Sequence, residues 1–287
     1  MSAKTLIQWC DSTVNPTMGC NGCELWNAKE RTCYAGTMTE KWKGKKGYPD
    51  SFLQPKLFPG RMLEAANWSD LSGLPRRDSP WLDGLPRIIF VSDMGDSLSN
   101  VPGHEISFEY LKAEIIGNVS GFSGCRHLWI WLTKRPGRMA QFDQWLHARD
   151  ILWPDNLIAA TSIITACTAP QRINSLKKLR AKYKALSVEP LWESVDLDLV
   201  GIDWIMVGGE STQAQGAKIR PFDLNWARAL RDQCKKTGTA FFFKQAGSNP
   251  VEGDRAVSLK DSHGGNWDEF PEDLRIREIP SAFKTSP

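Results

Sequence analysis

The sequence predicts an α/β fold, a full or partial (β/α) TIM-like barrel of about six to eight parallel strands, and three observations lead to it. Short apolar runs recur without the polar alternation of a solvent-facing sheet, as strands covered on both faces do. Amphipathic stretches of helical period separate these runs. Polar groups follow one run after another, and strand C-termini meeting on one rim are where such barrels build their sites. The first two observations alone leave a doubly wound sheet open as well.

Taken in order, TLIQWCDST (5–13) reads as the first strand. RIIFVSD (87–93), HLWIWLTKR (127–135), NLIAATS (156–162), KALSVEP (184–190), DWIMVGGES (203–211) and AFFFKQAG (240–247) read as the next six. Between them EISFEYLKAEIIGNV, GRMAQFDQWLHA, APQRINSLKKLRAKY and FDLNWARALRDQCKKTG carry helical periodicity, the last closed by Gly238 as a C-cap. Residues 37–86, rich in Pro, Gly and Lys, stand outside this rhythm as a long ordered insertion within a barrel domain of residues 1–247. Residues 248–287 form a polar C-terminal tail expected to pack over one end of the barrel.

Composition sets limits. With 287 residues, 41% of them hydrophobic, the chain can bury a substantial core without staples. A net charge of +3 is too mild to announce a nucleic-acid binder, though a local basic groove remains compatible with it. No apolar run has the length of a membrane span, and the N-terminus lacks the plan of a signal peptide, so a cytoplasmic protein is expected. Four of the seven cysteines, Cys10, Cys125, Cys167 and Cys234, are scattered and read as small buried hydrophobes in a reducing compartment.

The other three, Cys20, Cys23 and Cys33, follow the first strand in one polar loop, with two residues between the first pair and nine between the second. A structural zinc site needs four ligands, and the histidines (His104, His127, His147, His263) are scattered, leaving Cys10 as a fourth donor. Three thiolates in one loop suit an iron–sulfur cluster with one iron left open. Strand ends offer the remaining candidates: Ser92 and Asp93, Lys134 and Arg135, Ser162, Ser187 and Glu189, Gly208, Gly209 and Glu210, and Lys244 with Gln245. Asp93, Glu189 and Glu210 as paired acids of a glycosidase form a competing reading, but it leaves the cysteines unexplained. Trp42 among Lys41, Lys43, Lys45 and Lys46, with Tyr48 nearby, interleaves charge and aromatic rings as single-strand nucleic-acid grooves do; a solvated loop has the same composition.

WCDSTVNPTMGC, CYAG, FVSDMGD, LTKRPGRM, LSVEPL, DWIMVGGES, WARALRDQCKKTGTAFFFKQAG and NWDEFP, in this order across residues 7–275, resemble a bacteriophage-associated, largely uncharacterised three-cysteine family of the radical S-adenosylmethionine (SAM) superfamily. The spacing departs from the superfamily's commonest pattern, an insertion precedes Cys33, and Cys10 stands where many relatives have threonine.

The resemblance implies a [4Fe-4S] cluster on Cys20, Cys23 and Cys33, with SAM chelating the fourth iron and split reductively to a 5′-deoxyadenosyl radical that abstracts a substrate hydrogen. It implies Ser92 and Asp93 at the methionyl amine, Lys134 or Arg135 at the carboxylate, and Ser162, Ser187 and Glu189 at the ribose. Gly208 and Gly209 would admit the adenine, while Glu210, Lys244 and Gln245 would face the substrate, Glu210 and Lys244 as the catalytic candidates. The implied partners are SAM, an electron donor, a nucleic-acid or nucleotide substrate and a partner protein, with no membrane, in the cytoplasm of a bacterium or a phage-infected host. The alternative from another class is a non-catalytic Fe–S or zinc protein that binds nucleic acid.

Overall fold

A computed structural model describes residues 1–211 and 219–284. Seven parallel strands, β1 (Ser12–Val14), β2 (Ile88–Val91), β3 (Leu128–Thr133), β4 (Leu157–Ser162), β5 (Lys184–Val188), β6 (Trp204–Gly208) and β7 (Ala240–Gln245), pair in chain order into one curled sheet, a half-barrel. Every neighbouring pair is parallel, so each connection must cross over, and the crossovers carry the helices except between β5 and β6, where residues 189–203 form no helix.

Period-2 alternation divides the sheet into two apolar faces. Ile89, Val91, Trp129, Trp131, Leu186, Val207 and Phe243 face the helices α3 (Phe108–Leu111, Lys112–Ile116 and Gly117–Ser120, the middle segment a π-helix), α4 (Pro136–His147), α5 (Ala169–Lys177) and α6 (Leu224–Thr237). Ile88, Phe90, Ile130, Ile158, Ala185, Trp204, Met206 and Phe242 form the opposite, inner face, filled by Trp9, Leu82 and Phe283 rather than by helices. Helix α6 shows how local sequence sets an element. Asp223 caps its start by accepting from the Asn225 amide at 2.9 Å, Gly238 ends it in the left-handed region at φ 74°, and Leu224, Ala227, Leu230 and Cys234 make its buried stripe.

An open parallel sheet leaves two unpaired edges. Here Ser2 pairs antiparallel with Thr13 on β1, while Ile276 and Glu278 exchange backbone hydrogen bonds with Phe243 and Phe241 on β7. Phe270, Leu274 and Phe283 of the C-terminal segment are buried in the two faces of the core.

The structure shortens two expected elements. Residues 5–11 are not strand: Trp9 and Cys10 are both buried, and Asp11 turns its carboxylate to the Ile88 amide at 2.8 Å and to Arg76 at 3.2 Å, so ladder pairing begins only at Ser12. Helix α5 stops at Lys177 although its pattern runs on to Tyr183, because Leu179, Ala181 and Tyr183 turn inward ahead of β5. The 37–86 stretch holds most of helix α1 (Tyr34–Trp42), all of α2 (Arg61–Ala66), and a strand, Lys56–Leu57, that pairs with Thr17–Met18 beside the cysteine loop.

Candidate functional site

The cysteine loop leaves β1 through tight backbone turns. Gly19 sits at φ 98° and is packed so closely on Gly95 that a Cβ on Gly95 would lie 2.4 Å from the Gly19 carbonyl oxygen. The Cys20 amide donates to the Phe52 carbonyl at 2.8 Å, and Cys23 and Trp26 exchange backbone hydrogen bonds at 3.0 Å. Trp26, buried against Phe52, anchors the loop from beneath, and Gly36 of α1 lies flush on its ring. Cys33 is the N-cap residue of α1.

Three arginines, each from a different part of the strand-end rim, hold this loop. Arg135, after β3, donates to the Gly22 carbonyl at 2.6 Å and to the Cys20 sulfur at 3.3 Å, while its other nitrogen pairs with buried Asp96 at 2.6 Å. Arg172 of α5 forms a bidentate pair with Glu24 at 2.6 and 2.9 Å. Arg220 reaches Glu30 at 2.7 Å and buried Glu210 at 3.3 Å, its guanidinium stacked 3.9 Å from the Trp192 ring. A polar loop with little core of its own is thereby fixed against the rigid sheet.

Below the loop lies a cavity of about 170 Å³ lined by all three cysteines together with Ser92, Asp93, Lys134, Arg135 and Ser162. Phe90, Ile130 and Ala160 face inward, so Ser92, Lys134 and Ser162, an even number of residues further on, come to the same side at the strand ends. All three thiols are free. Burial raises the Cys33 thiol to about 11, opposed by the Lys134 ammonium and the Gly36 amide. Burial also raises Cys20, with Arg135 pulling the other way. Burial raises Asp93 as well, against a 2.5 Å hydrogen bond from Asn15. Ser92 stands at φ 78° with its buried hydroxyl lacking a partner, and the Lys134 ammonium makes no ion pair or hydrogen bond among the described residues.

The remaining candidates lie along the same rim but outside that cavity. Lys244 grips both oxygens of Glu189 at 2.6 and 2.7 Å, joining two residues expected to serve different partners. Ser187 stands in register with Ser162 on the adjoining strand. Gly208 faces the Glu189 carboxyl, with 3.3 Å left for a Cβ; Gly209 packs on the Phe222 side chain and the Ala246 backbone. Gln245 donates to the Gly209 carbonyl at 3.1 Å, and Glu210 is held by Arg220. Asn15, Glu24, Asp96, Arg172 and Arg220 belong to the site and escaped the sequence reading. Asp96 lies only three residues past Asp93, and a search confined to strand ends stops short of it.

One further expectation changes. Cys10 and Cys234 are buried as expected, but Cys125 and Cys167 are exposed, both sitting in turns before β3 and α5 rather than within a core element. Lys45 lies 4.1 Å and Lys41 5.5 Å from the centroid of the Trp42 ring, so the charged and aromatic groups of this stretch meet in space as they do in sequence.

Among the described residues no three His, Cys, Asp or Glu side chains converge as the ligands of a single metal ion. The three cysteines instead border one cavity of about 170 Å³, and their free thiols are the sulfur donors in its lining among the described residues. That donor set fits an iron–sulfur cluster, which takes thiolate ligands. Beside the cysteines stand the Ser92 hydroxyl and the Lys134 ammonium, without a partner among the described residues, and the Asp93 carboxyl.

No curated protein and no solved structure matches the chain. A family model described as protein of unknown function (DUF5131) matches residues 4–271, and the chain belongs to that family.

Proposed function

We propose that this protein is a radical SAM enzyme whose half-barrel is an open TIM-like (β/α) barrel. The observation that carries the reading is the single cavity bordered by Cys20, Cys23, Cys33, Ser92, Asp93 and Lys134. A trio of free thiols next to an acid, a free hydroxyl and an unpaired ammonium is the complement of an open [4Fe-4S] cluster chelated by a zwitterionic methionyl group. A bound, reduced cluster would supply the one-electron chemistry that cleaves SAM, and the chain's part would be to hold, orient and shield it.

The chain's own residues then have separable tasks. Cys20, Cys23 and Cys33 hold the cluster, and Arg135, through its contacts with Cys20, Gly22 and Asp96, positions the loop rather than binding the SAM carboxylate. That leaves Lys134 for the carboxylate, and Asp93 with Ser92 for the amine. Ser162 and its register partner Ser187 are the inward hydroxyls available to the ribose. Glu189 and Lys244, locked together, and Glu210 belong to the substrate side. The substrate class proposed is a nucleotide or nucleic acid, drawn by the ammonium groups of Lys41, Lys43, Lys45 and Lys46 with the rings of Trp42 and Tyr48 among them. The cytoplasm of a bacterial or phage-infected host, with a partner protein as electron donor, completes the reading.

The test is anaerobic reconstitution with iron and sulfide, followed by SAM and dithionite, beside a Cys20→Ala/Cys23→Ala/Cys33→Ala variant. A cluster absorbing near 400 nm and 5′-deoxyadenosine formed by the wild type alone support the proposal. Stoichiometric zinc in the wild type, or a cluster that never cleaves SAM, overturns it.

A further inference from the structure

The half-barrel leaves a gap between its two edges, and the chain fills this gap unevenly. The segment entering β1, the turn before β2 and the segment pairing along β7 enclose a cavity of about 610 Å³, lined among others by Gln8, Arg77, Trp81, Trp267 and Arg277. Its volume lies within the range of roughly 300–1,000 Å³ usual for small-molecule sites.

Arg277 is the unusual group in it. Its guanidinium lies 4.1 Å from the Trp81 ring and 5.2 Å from Trp267, and among the described residues donates to the carbonyls of Phe243, Lys244 and Gly265. No carboxylate among the described residues neutralises it, and burial lowers its pKa to about 10. Other charges lining the cavity do not change this. Arg76 is fully engaged by Asp11 and backbone carbonyls, and Lys4 is paired with Asp78. Arg77 is exposed and makes no ion pair or hydrogen bond among the described residues. Four cations, Lys4, Arg76, Arg77 and Arg277, thus line the cavity against two carboxylates, Asp11 and Asp78, which leaves an excess of positive charge at Arg77 and Arg277. Beside them Trp81 and Trp267 stack 18° from parallel, both half-buried, and the Gln8 amide oxygen is buried without a partner.

We propose that this cavity binds a nucleoside phosphate, with its phosphate at Arg77 and Arg277, its base against the Trp81 and Trp267 rings, and the polar edge of that base at the Gln8 amide. A desolvated guanidinium at Arg277 with a second, exposed one at Arg77 favours phosphate, indole rings favour a base, and an amide oxygen without a partner gives a hydrogen-bonding edge its acceptor. The site is built from residues separate from the cysteine cavity and stands whether or not that cavity holds a cluster.

Titrating the full chain with adenosine 5′-monophosphate, followed by tryptophan fluorescence and calorimetry, tests this. Saturable binding is expected, with adenosine alone and inorganic phosphate alone each weaker by about tenfold or more. Arg77→Ala, an exposed change with no bearing on folding, and Arg277→Gln should each weaken binding by about tenfold, while the triple cysteine variant binds as the wild type does. Absence of saturable binding, phosphate binding as tightly as the nucleotide, or binding indifferent to Arg77→Ala overturns the proposal. Loss of binding in the triple cysteine variant does so too, since it would put the nucleotide in the other cavity.

Discussion

Arg135 donates to the Cys20 sulfur at 3.3 Å with one guanidinium nitrogen and pairs with the Asp96 carboxylate at 2.6 Å with another. The pair is nearly dry, with side-chain exposures of 17% and 7%, so removing one partner strands the other's charge. Burial opposes the charge on Arg135, yet Asp96 and Cys20 together drive its pKa upward. Arg135→Gln is expected to cost about 3–5 kcal/mol in unfolding free energy by urea titration. In the double variant with Asp96→Asn the two losses should fall short of additive by about 0.5–3 kcal/mol, the signature of a shared network.

Glu24 and Glu30 hold the cysteine loop at two points that make no contact with the cavity. Burial would raise the Glu24 carboxyl, but the two hydrogen bonds from Arg172 outweigh it and lower it. Glu24→Gln and Glu30→Gln should speed amide hydrogen exchange across residues 20–33 while leaving exchange in β3 and β4 unchanged. Equal exchange in both regions would show that the arginines do not restrain the loop.

Gly95 and Gly36 are places where a methyl group does not fit. A Cβ on Gly95 would meet the Gly19 backbone at 2.4 Å, and one on Gly36 the Trp26 ring at 2.4 Å. Gly95→Ala is expected to cost about 1–3 kcal/mol or more, since backbone cannot yield as a side chain does. Gly36→Ala should cost less, with Trp26 displaced and its fluorescence red-shifted. Thermal melts and emission spectra separate the two.

His127 is buried, with Nε2–H donating to the Ala66 carbonyl at 3.1 Å and Nδ1 lacking a partner. Burial lowers its pKa below the ordinary value near 6.5, the Ala66 carbonyl opposing. The unfolded chain therefore takes up this proton at a higher pH than the folded chain. The contribution to stability is complete above about pH 6.5 and is lost as pH falls toward the lower folded value. The urea midpoint should drop between pH 7.5 and 5.5, and His127→Gln should lessen that drop.

Helix α6 tests its own end signals. Asp223→Ala is expected to cost about 1 kcal/mol through the lost cap, and Gly238→Ala about 1–2 kcal/mol through the left-handed backbone. The sites sit at opposite ends of a helix of 14 residues, so the costs should add.

The sequence by itself determined what repeats at short range. Continuous apolar runs marked six of the seven strands, and the period of 2 along a strand carried Ser92, Lys134 and Ser162 to the inner side, because side-chain direction along a strand is a local property. The three clustered cysteines were legible for the same reason. The first strand was misread because its partners, Arg76 and Ile88, lie 65 and 77 residues away from Asp11. The tertiary structure alone decided that Glu189 meets Lys244, that Arg220 spans 190 residues to Glu30, and that the two edges enclose a second cavity around Arg277. No local pattern encodes such pairs, since which charges meet depends on how far the sheet curls and on what then closes over its rim and its edges.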